Sequence, residues 1–287
     1  MITMGRYILS ALALAACYDP TIPLGVACTP PDGICPDDQI CSAEGVCTTS
    51  SADAAGQDSP RLDARALDAS IADASALPAW RLVQVQSITV GSGGSASATI
   101  ALTSTTAGDL VVVGIQTAPG ATITNVSDNA PSGTSEFSAI TGSLASNGAG
   151  DGGVEVWYTP SVKAAATSVT ATTSSAIYGV VVWDVATAQP STVDTVKAAS
   201  NQAASTTLLS PSIDTVHAGE LVIAIGISSG SVSMIKANNE FTNDATPNEN
   251  GWAHITSAMA PAGPHQAVWN SDSATYCSTA VAFHVGE

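Results

Sequence analysis

One short run constrains this chain more than any other. Ala107-Gly108-Asp109-Leu110-Val111-Val112-Val113-Gly114-Ile115 returns 111 residues later as Ala218-Gly219-Glu220-Leu221-Val222-Ile223-Ala224-Ile225-Gly226-Ile227. A second pair keeps the same order at an offset of 98: Ser175-Ala176-Ile177-Tyr178 with Ser273-Ala274-Thr275-Tyr276, each leading into an apolar run. These runs are β-branched and bounded by Gly, Ser, Thr and Asn clusters, the composition of strands. From Trp80 to Glu287 others of the kind follow one another, among them RLVQVQSITV, SASATIAL, VEVWYTP and QAVWN. No amphipathic helical stripe interrupts them. The expected fold is all-β, an antiparallel β-sandwich with an internal pseudo-repeat. One sandwich built twice over and two small sandwiches packed together both fit.

The A-G-[DE]-L-V strand opening, followed by aromatic strands, resembles the Gly/Thr/Ala-rich jelly-roll modules of secreted and surface-bound bacterial proteins. That resemblance implies a jelly-roll-like sandwich in an extracellular setting and carries no catalytic residue across.

The N-terminus points to the same setting. Arg6 precedes an apolar stretch from Tyr7 to Ala16, within the length of a secretory h-region and too short to span a bilayer as a stable helix. Leu14-Ala15-Ala16-Cys17 resembles the lipobox of bacterial lipoproteins. The resemblance implies removal of residues 1–16 and lipidation of Cys17, whose thiol is the nucleophile such chemistry needs. Two or three acyl chains anchor a protein stably. Tyr18 rather than Asp follows Cys17, which favours the outer membrane or cell surface. The alternative is an ordinary signal peptide with Cys17 as half of a disulfide.

Cys28, Cys35, Cys41 and Cys47 lie in a Pro- and Gly-punctuated stretch with spacing C-x6-C-x5-C-x5-C. Twenty residues with so few apolar groups cannot fold by core burial, and in an exported chain they read as two disulfides. Three connectivities are open; Cys28–Cys41 with Cys35–Cys47 is the preferred one. A Cys₄ zinc site lacks the close C-x2-C pairs that hold a tetrahedral ion. The stretch resembles small Cys-rich modules that follow the lipobox in bacterial surface lipoproteins.

Residues 48–79 carry aspartates at 53, 58, 63, 68 and 73. A period of five spirals around a helix and leaves no apolar stripe to bury, so the segment reads as a solvated, self-repelling spacer. The expected organisation is a signal peptide at 1–16, a lipidated segment at 17–27, a disulfide module at 28–47, a linker at 48–79 and a sandwich domain at 80–287.

Function is less legible. The formal net charge of -17 repels phosphate backbones, which argues against nucleic acid. Gly226-Ile227-Ser228-Ser229-Gly230 fits G-x-S-x-G, with Asp244 or Asp272 and then His284 in triad order. The elbow requires a following helix, and no helical pattern follows here. His217, His254, His265 and His284 show no metal-ligand spacing, and neither metal nor cofactor is expected. Cys277 reads as a buried thiol acting as a small hydrophobe. Glu136, Asp151 and Glu155 are scattered acids that could flank a sugar. Among the aromatics, Trp252 in the loop-like NENGWAH is the expected exposed binding residue, a platform for stacking on sugar rings. The expected role is non-enzymatic: adhesion or recognition of a glycan or surface protein by a membrane-anchored module. A secreted hydrolase and a structural surface component are the alternatives.

Overall fold

The computed structural model describes residues 39–41 and 47–49, and 80–285 apart from 92, 148–151, 231, 234–239, 246–249, 256 and 258–259. The signal segment, Cys17, Cys28, Cys35 and the linker from residue 50 lie outside them. In the N-terminal unit, β1 (Gln39–Cys41) pairs antiparallel with β2 (Cys47–Thr49), and the register sets Cys41 opposite Cys47.

The larger unit is all-β over its described residues, and every ladder is antiparallel. Its first half comprises β3 (Trp80–Thr89), β4 (Ser95–Ala101), β5 (Leu110–Thr117), β6 (Ile123–Asp128), β7 (Ser138–Ala139), β8 (Ala145–Ser146), β9 (Gly153–Thr159) and β10 (Ser168–Thr187). The second half comprises β11 (Ser191–Leu209), β12 (Ile213–Thr215), β13 (Leu221–Ser228), β14 (Val232–Ser233), β15 (Phe241–Ala245), β16 (Gly251–Ile255), β17 (Gly263–His265) and β18 (Val268–Val285).

The two halves repeat one topology. The first sheet runs β3-β10-β5-β9-β7 and the second β11-β18-β13-β16-β15. The register repeats as well. Shifting one strand by 98 residues and the other by 111 turns Val185↔Leu110 into Phe283↔Leu221, and Val180↔Ile115 into Ser278↔Gly226. The echo in the sequence is therefore an echo in the ladder.

The long strands β10 and β18 each serve two layers. Residues 168–173 of β10 pair with β4 and β6, while 179–187 pair with β3. Ile100, Val126 and Val169 from the first part share a core with Val111, Val113, Val180 and Val182 from the second. In the other half Leu208, Ile213 and Trp269 pack with Val222, Ala224, Ala280 and Ala282. The remaining faces meet in a central core holding Val112, Val181 and Trp183 from one sheet and Ile223, Trp252, Val281 and Phe283 from the other. Every residue of β5 is buried. This is why LVVVGI is a continuous apolar run rather than an alternating one: both of its faces are covered. Of the two arrangements the repeat allowed, each half has its own outer layer, and the two form one compact unit.

Candidate functional site

The repeated A-G-[DE]-L motif builds a corner at the entrance of each central strand. Gly108 and Gly219 take positive φ of 95° and 78°, which glycine adopts without steric cost. Each is held by an equivalent bond: Gly108 N–H donates to the Val162 carbonyl at 3.0 Å and Gly219 N–H to the Ala260 carbonyl at 2.8 Å. The turn then drops an acid, Asp109 or Glu220, into a buried position.

The halves treat that acid differently. In the first, Asp109 neighbours the buried Asp184. Burial raises both carboxyl groups above the ordinary range, and the charge of Asp184 raises Asp109 further. Gln84 Nε2 donates to Asp184 Oδ2 at 2.9 Å, while Asp109 Oδ2 and Asp184 Oδ1 have no partner.

In the second half, Glu220 Oε1 accepts from the backbone N–H of His217 at 3.0 Å and lies 3.2 Å from His217 Nδ1. His284, near the end of β18, arrives beside them because Phe283 is paired with Leu221. The rings of His217 and His284 are 4.3 Å apart between centroids. One donor atom from each of His217, Glu220 and His284 lies within 4.8 Å of the other two. Local spacing gave no sign of this set, because its third member comes from a different strand. The remaining histidines have partners of their own: His254 Nδ1 lies 2.7 Å from Asp244 Oδ1, and His265 contacts Glu240, Thr215 and Pro261.

A second feature is a cleft of about 460 Å³ in the first half. Asp128, at the end of β6, shapes its wall by accepting from the N–H groups of Ala130 and Ser135 and from the Ser135 hydroxyl. Ser135 Oγ in turn accepts from Lys163 N–H at 2.9 Å. Tyr158 lines the cleft with Glu136 and Lys163, and it packs against the central core, its ring 5.8 Å from that of Phe283.

Trp252 is a correction. It was expected in an exposed loop, yet it belongs to the fully buried strand β16 and is 0% exposed. Its indole lies 6.4 Å from that of Trp183, in space left by Gly114. A Cβ on Gly114 would stand 2.7 Å from Trp252 Cζ3. Asn250 leads directly into the strand, and all five residues of GWAHI are buried, as in a strand covered on both faces.

Ser228 and His284 are not brought together. They lie at opposite ends of one ladder, which runs from Leu221↔Phe283 to Ser228↔Tyr276, about 23 Å at the rise of a strand. Ser228 Oγ instead contacts Ser271 and accepts from Gly230 N–H. Cys277 fills a position in the central core, fully buried. Glu136 lines the cleft while Glu155 does not; Glu155 is half-buried, and burial raises its carboxyl pKa. Asp151 lies outside the described residues. Compared with protein-family models, curated proteins and solved structures, the chain matches none.

Proposed function

We propose that this protein is a lipid-anchored component of a bacterial cell envelope that displays a jelly-roll-like double sandwich for recognition of a surface saccharide. Cys17 carries the lipid, Cys28, Cys35, Cys41 and Cys47 staple a small module, and the acidic linker supplies reach. Thirty-two extended residues span on the order of 100 Å.

The observation that carries the recognition part is the cleft beside Tyr158. A half-buried tyrosine whose ring packs against Phe283 adjoins serines and the opposite charges of Glu136 and Lys163. Sugars present an apolar ring face and a periphery of hydroxyls, and such a surface offers a partner to each. Assembly through an apolar face has less support: among the described residues the exposed large hydrophobics are Val83, Leu144 and Val216.

Two measurements test the reading. Cys17→Ser is expected to abolish metabolic lipid labelling and detergent partitioning; unchanged partitioning removes the anchor. On a glycan array the intact chain is expected to bind and Tyr158→Ala to lose most of that signal. Equal binding by both, or none by the parent, removes the cleft.

A further inference from the structure

We propose that His217, Glu220 and His284 form a binding site for a divalent transition-metal ion, with zinc the ion their donors suit best. Two imidazole nitrogens and one carboxylate oxygen are borderline ligands of the kind zinc takes. Bonds of about 2.0–2.1 Å to a tetrahedral ion put donor atoms roughly 3.3 Å apart. Here the three donors lie within 4.8 Å of one another. The His217 side chain is 48% exposed, and a rotation of its ring that exchanges the Glu220 Oε1 contact for the ion would close the difference.

A second observation points to a cation independently. The Glu220 side chain is 1% exposed, and its Oε2 has no hydrogen-bond partner. A buried carboxylate oxygen without a donor is destabilising unless something positive meets it. His217 serves only Oε1. A metal ion between Oε2 and the two rings supplies the missing partner.

The pseudo-repeat provides an internal comparison. Positions 217, 220 and 284 correspond to Thr106, Asp109 and Ala186 in the first half, by the offsets that relate the two ladders. That corner keeps its buried acid but has no imidazole; the neighbour of the acid there is the buried carboxyl of Asp184. The two histidines stand in the half where Ala282 takes the place of Asp184. The frame around them is firm: Trp80 Nε1 donates to the Gly219 carbonyl at 2.8 Å, fixing the turn that carries His217 and Glu220. With three protein ligands and an open side toward solvent, the site leaves one position for water or a ligand.

The test uses the full-length chain, zinc competition against a chromophoric chelator, and cobalt(II) absorption. Cobalt(II) separates this site from the four N-terminal cysteines, since thiolate ligands give an intense near-ultraviolet charge-transfer band and nitrogen and oxygen donors do not. The parent is expected to bind one zinc ion, with cobalt d–d bands and no thiolate band. His284→Ala and Glu220→Gln are each expected to weaken binding by more than about 100-fold, beyond what loss of an outer-shell partner causes. His217→Ala, at an exposed side chain, guards against misfolding. Because the backbone N–H of residue 217 still serves Glu220 Oε1, the variant is expected to fold with a cooperative metal-free melting transition, while the upward shift produced by zinc is lost. No zinc binding by the parent, a thiolate band only, or equal affinity in parent and His217→Ala overturns the proposal.

Discussion

Asp184 and Asp109 place two carboxyl groups in one buried corner, and the consequence is a definite pH dependence. Each holds its proton to a higher pH in the folded chain than in the unfolded one. Stability from this corner is therefore complete below the ordinary carboxyl range and declines as pH rises through it toward the raised values. Asp184→Asn keeps the shape and an acceptor for Gln84 but no longer ionises. Calorimetry across pH should find its melting temperature above the parent's at pH ~7, with the gap closing near pH ~4. Parallel curves would mean the pair is not titrating as described. Gly114 is the second residue with a clear role, because it lets the sheets approach. A Cβ there would come within 2.6 Å of Ile225 Cδ1. Gly114→Ala should cost about 1–3 kcal/mol in chemical denaturation, the range for overpacking, and Ile225→Val in the same chain should restore part of it. Neither role is visible in the sequence, where Gly114 is one small residue in a valine run.

At the scale of elements, strand identity follows from local chemistry and strand partnership does not. The β-branched runs and the glycine turns of A-G-[DE]-L specify β5 and β13 wherever they land. The length of β10, twenty residues across two layers, is less legible, because Thr-Ser-Ser in its middle reads as a turn. Pairing with β4 and β6 on one side of that point and β3 on the other keeps it extended. In the segment between β6 and β7 one side chain gathers several donors. Asp128 gathers the N–H groups of Ala130 and Ser135. Asp128→Ala leaves them without that acceptor, at a cost of about 1–3 kcal/mol. Hydrogen exchange should quicken in residues 129–135 while β5 and β10 stay protected. Uniform acceleration would show that Asp128 supports the whole domain instead.

For the whole molecule, the decisive contacts join the two halves. Trp183 Nε1 from the first donates to Asp244 Oδ2 of the second at 2.7 Å, and Asn250 Nδ2 donates to Gln116 Oε1 at 3.2 Å. The Trp183 and Trp252 rings share the apolar core between them. Two halves joined this way should melt as one, in a single calorimetric transition for the sandwich. Trp183→Phe keeps most of the apolar volume but leaves Asp244 Oδ2 without its indole donor. It should lower stability by about 1–3 kcal/mol without splitting that transition. Two resolved transitions would mean the halves fold separately. The sequence by itself determined the all-β class and the twofold repetition, because strand propensity, turn glycines and repeated order act over a few residues. Only the tertiary structure decided that Trp252 enters the core and that His284 meets His217 and Glu220. Such meetings depend on register between strands far apart in the chain, where a slip of one residue sends a side chain to the opposite face.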